Sequence, residues 1–361
     1  MTAETTTEST EDSKGRRWCW GTRLLVSAAV AWAVFLVLHV LLVGEWWVWL
    51  LFEATPPVAL VAVPVVLLAV AWFARPVRRR LSAALVILLL AGACLAGGVP
   101  TWTGETGVRG IEVKVFAWST DYWRMSDDED AFYEFLRRQD ADVYLLQEYL
   151  YWQGDDRPVR IDDTARLRAE FPGYEVSADG ELLTLTRLPV VATHHQPDPG
   201  TETGWYWQGR KSQRTDVRAG GRTISFYNVH LPVPFRIGDD PFSARFYRFL
   251  HDQGTWRLRE LDRLRADLAG NRNPVVVAGD FNSPWMELTG LGTGIRSHDP
   301  DGGGSSTPSW PVSDYPLPRL WRLDWLYTSG DLVVPGYRFG GGEAFSDHAA
   351  QEIRVTVPPT S

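Results

Sequence analysis

The sequence predicts an α/β domain preceded by three transmembrane helices. Two observations carry that division. The long apolar runs lie in the first hundred residues, whereas from Ile111 onward short β-branched stretches alternate with amphipathic ones. Strand and helix patterns that take turns along a chain mark a layered α/β architecture. Charge divides the same way: residues 1–100 carry +2 and residues 101–361 carry −10, within a whole-chain net charge of −8.

Residues 1–23 read as a disordered cytoplasmic tail, opening with the Thr/Glu-rich MTAETTTESTEDS. The transmembrane region, residues 24–100, holds three apolar runs: Leu24–Val43, Pro57–Ala74 and Leu81–Gly98. Each reaches the roughly 17–20 residues that a helix needs to cross a bilayer. Lys14, Arg16, Arg17 and Arg23 precede the first run, and Arg75, Arg78, Arg79 and Arg80 lie between the second and third. The link between the first and second, GEWWVWLLFEATPP, has no Lys or Arg and is rich in Trp. Basic residues stay on the cytoplasmic side. The chain is therefore expected to be a multi-pass cell-membrane protein with its N-terminus inside and residues 101–361 outside. His39 falls near the outer end of the first run, where an interfacial place is expected. The only cysteines, Cys19 and Cys94, lie in this part, so the outer domain has neither a disulfide nor a Cys-ligated zinc site.

In the outer domain Ile111–Trp118 alternates like a half-buried strand, and Ser126 is expected to cap a helix with Phe132, Phe135 and Leu136 on one face. Asp142–Gln147 is a second strand, closed by Glu148. Leu182–Thr186 and Val190–Thr193 flank a turn at Arg187–Pro189, and Thr223–Val229 is a strand ending at His230. A long helix is expected over Ser243–Leu268. The strand Val275–Ala278 then runs into Gly-Asp-Phe-Asn. After a Gly/Ser/Pro-rich loop, Asp301–Pro318, come a strand Leu323–Tyr327, the triplet Ser346-Asp347-His348 and a last strand Ala350–Val357.

Polar residues collect at the strand ends: Glu148, His230, Asp280 with Asn282, and Asp347 with His348, while Asp324 lies just inside a strand. Asp and Asn end strands cheaply, so one such residue carries little. Together they suggest a site built from loops at one edge of the sheets. Carboxylates with an amide and imidazoles make a hard, oxygen-rich set, suited to Mg²⁺ or Mn²⁺. Lewis-acid stabilisation, an oriented water and a proton source are the needs of phosphoester hydrolysis.

The ordered series LLQE at 145–148, NVHL at 228–231, GDFN at 279–282, RLDWLYTS at 322–329 and SDH at 346–348 resembles the endonuclease/exonuclease/phosphatase superfamily, which includes DNase I-like nucleases, neutral sphingomyelinases and inositol-phosphate phosphatases. The resemblance covers about residues 110–358. It implies a four-layer α/β sandwich, two mostly antiparallel sheets flanked by helices. It also implies a metal-binding Glu148, and Asp280 and Asn282 orienting water and contacting phosphate. Asp347 would be a metal or metal-water ligand, His348 the catalytic histidine held by Asp324, and His230 an aid to the leaving group. Ser119 stands where the family usually has Asn, and Asp121 falls where some nuclease members carry a supporting acid at the metal.

Other residues have plainer readings. His194 and His195 match no role. Arg187 and Arg214 are candidate phosphate contacts or ordinary strand-end residues, and Trp205, Trp207, Trp310 and Trp321 line a cleft or pack loops. The expected activity is divalent-metal-dependent phosphodiester hydrolysis of a phospholipid or sphingolipid headgroup at the bilayer. The alternatives are an extracellular nuclease, which the −10 charge disfavours because phosphate contacts need Lys and Arg, and a non-catalytic receptor that keeps the fold. No feature points to a protein partner.

Overall fold

A computed structural model describes residues 19–74, 77–97, 108–123, 128–154, 157–197, 199–304, 307–313 and 315–359. Residues 1–18 of the expected N-terminal tail, Ser126 and several of the basic residues lie outside these, while Trp20–Arg23 belong to the first helix rather than to a disordered tail, because the apolar run that follows extends its helix back to them. The helices are α1 (Trp20–Leu42), α2 (Leu50–Glu53), α3 (Ala59–Ala71), α4 (Arg78–Leu95), α5 (Glu129–Gln139), α6 (Thr164–Glu170), α7 (Gly204–Trp207), α8 (Ala244–Gly270) and α9 (Met286–Thr289). The strands are β1 (Ile111–Ser119), β2 (Val143–Gln147), β3 (Leu150–Trp152), β4 (Pro158–Arg160), β5 (Glu175–Asp179), β6 (Leu182–Thr186), β7 (Val190–His194), β8 (Ser212–Ala219), β9 (Arg222–His230), β10 (Val275–Asp280), β11 (Ile295–His298), β12 (Asp324–Ser329), β13 (Val333–Gly340) and β14 (Ala350–Val357).

Two six-stranded sheets face each other, ordered β13-β14-β1-β2-β6-β5 and β11-β12-β10-β9-β8-β7. Alternation along the strands explains the layers. On β1, Val113, Val115 and Ala117 point between the sheets, where they meet Val217, Phe226, Val276 and Leu326 of the second sheet. Phe116 and Trp118, on the opposite face of β1, pack under Phe132, Tyr133 and Leu136 of α5. The outer face of the second sheet, with Tyr227, Val229, Val275 and Val277, is covered by Leu261, Leu264 and Leu268 of α8. The result is helix, sheet, sheet, helix. Asp128, whose carboxylate accepts from the Ala131 amide at 2.9 Å, caps α5 in place of the expected Ser126. Ser243 caps α8 as its position suggests.

Polar side chains also cross between the sheets. Gln147 donates to Asn228 at 2.6 Å, and Asn228 donates to the carbonyls of Leu146 and Leu183. The Asn228 amide is thus paired at both ends, although Gln147 Oε1 is left without a partner among the described residues, and directional bonds of this kind fix the sheets' relative position more tightly than apolar contact does. The pair lies one residue from Glu148 and two from His230, so it sets the spacing across the site.

The N-terminal part corrects one expectation. Among the described residues only α1, with 23 residues, is long and apolar enough to cross a membrane by itself. The α3 helix has 13 residues and unwinds at Trp72, while α4 spends its first turn on Arg78, Arg79 and Arg80. The second and third runs thus make a short hairpin beside α1 rather than two full-length spans. Leu25 and Ala29 of α1 meet Ala71, Ala74, Leu81 and Leu85 near the hairpin turn, and Leu36 meets Leu60 and Ala96 at its open end. Val66, Ile87 and Leu90 stay exposed on its outer face.

Candidate active site

The strand ends bring the polar residues together. In β10, Asp280 pairs with Asp324 of β12 on one side and with His230 of β9 on the other. Gly279 allows this register. Its φ is +145°, and a Cβ there would lie 2.0 Å from the Val229 carbonyl oxygen. From the facing sheet, β2 delivers Glu148, and the turn before β14 delivers Asp347 and His348.

Two imidazoles flank one carboxylate. Asp280 Oδ2 lies 3.7 Å from His348 Nε2 and 3.6 Å from His230 Nε2. Its other oxygen, Oδ1, accepts from the Asn282 amide at 2.7 Å, and Asn282 anchors its own side chain by donating to the Leu231 carbonyl. Behind His348, Asp324 Oδ2 holds Nδ1 at 2.9 Å, while Asp324 Oδ1 is buried without a partner. Behind His230, Glu181 Oε2 holds Nδ1 at 2.9 Å and Glu181 Oε1 accepts from Lys211. Each histidine therefore turns Nε2 toward Asp280.

Burial works against the His348 imidazolium, but Asp324, Asp280 and Asp347 outweigh it and hold the ring's pKa well above its ordinary value. His230 is raised too, Glu181 prevailing over burial. Asp280 is pushed up to about 6 by burial despite the pull of His348. Burial pushes Glu148 up to about 8; His230 opposes the rise, and the negative charges of Asp121 and Asp347 add to it.

Glu148, Asp121 and Asp347 line a cleft of about 530 Å³ together with Asp280, Asn282 and His348. Their donor set is all oxygen, which fits a hard divalent ion such as Mg²⁺ or Mn²⁺. These expected metal ligands are not drawn into a tight trio. Glu148 Oε2 is turned to the Tyr122 amide at 3.1 Å and Asp347 Oδ2 to the Trp310 indole at 2.6 Å. The trio whose ligand atoms lie within 4.8 Å of one another is Asp280, Asp324 and His348. Its His348 Nδ1 is already spent on Asp324, which leaves a poor ligand at that atom. Ser119 is buried behind the cleft; its hydroxyl has no partner, and its carbonyl accepts from Ser346 at 2.7 Å.

The profile of the Endonuclease/Exonuclease/phosphatase family matches residues 108–348. The chain belongs to that family. Members of the endonuclease/exonuclease/phosphatase family are phosphoester hydrolases and are generally dependent on divalent metal. Many solved structures are similar, three of which follow. Truncated TDP2 from Caenorhabditis elegans is 18% identical, with a TM-score of 0.47 over 70% of this chain and 100% of that one. A family protein from Leptotrichia buccalis C-1013-b is 16% identical, TM-score 0.46, over 68% and 100%. A family protein from Beutenbergia cavernae DSM 12333 is 17% identical, TM-score 0.45, over 69% and 72%. No curated protein matches the chain in sequence.

Several residues escaped the sequence reading. Glu181 and Lys211 support His230 from a hairpin turn and a strand edge, where charged residues are commonplace. Trp207, Trp310 and Trp321 line the cleft, whereas Trp205 packs with Leu150 and Tyr206. Arg187 is bound to Asp140 and Asp142, and Arg214 to Asp216, away from the cleft, so neither is placed to hold phosphate. His194 and His195 sit against Asp216 and Asp179 as structural partners. His39 is buried, taking the Trp49 indole N–H on Nδ1 and packing edge-on against Trp285.

Proposed function

We propose that this chain is a membrane-anchored, divalent-metal-dependent phosphodiesterase that acts on a lipid headgroup phosphoester outside the cytoplasm. The observation that carries the reading is that Asp280, Asn282 and His348 line one cleft with the carboxylates Glu148, Asp347 and Asp121, with Asp324 and His230 buried directly behind His348 and Asp280.

In this reading Asp280, close to both imidazoles, takes the proton of the attacking water, and His348, kept protonated by Asp324, steadies the charge that builds on phosphorus. Asn282, its side chain already oriented by Leu231, contacts a phosphate oxygen. His230 supplies the proton to the leaving oxygen, its ring held by Glu181. Glu148 and Asp347, with Asp121 in support, would hold the divalent ion, which supplies Lewis-acid polarisation of the phosphoryl group.

The helix α1 anchors the chain, accompanied by the α3–α4 hairpin, with the N-terminus inside. Arg78–Arg80 at the hairpin turn support that orientation. A lipid substrate is favoured by the cleft's apolar wall, with Phe235, Ile237, Trp207 and Leu317, and by the neighbouring anchor. The acidic balance of the outer domain argues against nucleic acid.

The full chain in detergent micelles, given bis(p-nitrophenyl) phosphate with Mg²⁺, Mn²⁺ or EDTA, tests the reading. Metal-dependent turnover that His348→Ala and Asp280→Ala both abolish is the expected result. A folded protein inert with every metal would overturn it. Faster cleavage of plasmid DNA than of phospholipid at ordinary salt would move the substrate to nucleic acid.

A further inference from the structure

The link between α1 and α3 does not hang free. Residues 44–57 lie against the catalytic domain, held by the two loops that carry its chemistry. Trp285, just past the Asp280–Asn282 turn, donates its indole N–H to the Glu53 carbonyl at 2.9 Å. Trp321, three residues before Asp324, donates to the Ala54 carbonyl at 2.8 Å. Leu50 packs with Phe246 and Leu250 of α8. Gly254 of α8 admits Trp47 so closely that a Cβ there would lie 2.6 Å from the Trp47 Cβ. This segment lies outside the residues 108–348 that define the family match.

Glu53 and Ala54 line the catalytic cleft alongside Asp280, Asn282 and His348. The Glu53 side chain is buried, with 5% of the residue exposed. Its Oε1 accepts from the Gly44 amide at 2.9 Å, whereas Oε2 carries no hydrogen bond among the described residues. Behind it, the buried Arg257 guanidinium feels both Glu53 and Asp280 and is tied to the Pro232 carbonyl at 3.1 Å. A carboxylate acceptor on the cleft wall that no donor among the described residues fills is free to pair with a donor that the substrate brings in.

We propose that the α1–α3 link is a wall of the active site, and that Glu53 is a specificity-determining residue that accepts a hydrogen bond from a hydroxyl or ammonium on the substrate's headgroup. The assignment rests on the phosphoester reading of the cleft and adds to it which phosphoesters fit. The anchor thereby supplies part of the binding site as well as attachment. A site built to pair a donor discriminates strongly against the analogue that lacks it, because its own polar group is then left bare.

The test uses the full chain in micelles with three p-nitrophenyl phosphodiesters whose second ester is ethanolamine, glycerol or ethyl. Alongside, phosphoethanolamine, glycerol phosphate and inorganic phosphate are titrated calorimetrically, so that binding is read without turnover. Wild type is expected to prefer a donor-bearing ester, and Glu53→Ala to lower that preference at least tenfold in both kcat/KM and affinity. The ethanolamine and glycerol arms separate ammonium from hydroxyl. Equal preference in wild type and Glu53→Ala would overturn the role of Glu53.

Trp47→Cys with His251→Cys, positions whose rings meet at 5.2 Å, in a chain with Cys19→Ser and Cys94→Ser, reports the wall directly. Rapid cross-linking within one chain by a short bifunctional thiol reagent is expected, and its failure in the folded protein would overturn the docking. If wild type turns over none of the esters, the hydrolase reading falls. The affinity ratio and the cross-link still decide whether Glu53 and the link build a phosphoester-binding cleft.

Discussion

Replacing Asp324 with Asn removes one charge from the centre of the site and changes little in volume. The carboxylate, with none of its side chain exposed, holds His348 Nδ1 at 2.9 Å. A hydrogen bond to a charged partner contributes about 1.5–3 kcal/mol, which corresponds to roughly 10- to 150-fold in rate. An Asn amide can also present N–H to Nδ1, which leaves a neutral ring with its one proton on Nε2 and removes the positive charge that steadies the phosphoryl group. With bis(p-nitrophenyl) phosphate and saturating Mn²⁺, kcat should fall by that range or more while KM moves little. The sign of the pH effect follows from the raised His348 pKa. Below its ordinary value of about 6.5 the pair stabilises the fold fully, and that contribution fades as pH rises through the folded value. Asp324→Asn should therefore lower Tm more at pH 6 than at alkaline pH. A folded Asp324→Asn enzyme with wild-type kcat would refute the account of Asp324 as the group that positions and charges His348.

Three further outcomes are expected. Gly279→Ala should disturb the β9–β10 register by its 2.0 Å clash with Val229 and add strain of about 1–3 kcal/mol; calorimetry should show a lower Tm, and activity should fall with it. Glu181→Ala strands the Lys211 ammonium, whose side chain is only 2% exposed, and should cost about 3–5 kcal/mol in urea unfolding while loosening His230. Arg187→Ala breaks half-exposed ion pairs worth about 1 kcal/mol or less and should leave kcat/KM unchanged; a large loss of activity would restore Arg187 as a phosphate contact.

Periodicity made much of the fold legible. Strands such as Leu182–Thr186 and Ala350–Val357 match their expected limits, because each is a short β-branched or apolar run bounded by turn residues. The neighbouring β8 and β13 were missed: Ser212–Ala219 carries charged residues on a partly covered face, and Val333–Gly340 contains Pro and two glycines. The gathering of Asp280, Asp324, His230 and His348 could be expected from their places at strand ends, but their distances depend on sheet order, which brings residues far apart in the chain to adjacent rungs. By itself the sequence determined the apolar N-terminal part, the α/β alternation and the chemical types at the edge, since these follow from local hydrophobicity and propensity. Only the tertiary structure decided that Glu181 braces His230, that Asp347 turns to Trp310, and that Glu53 enters the cleft. Those contacts join segments that no local pattern relates, and burial against a partner far along the chain is what gives each group its charge state and its direction.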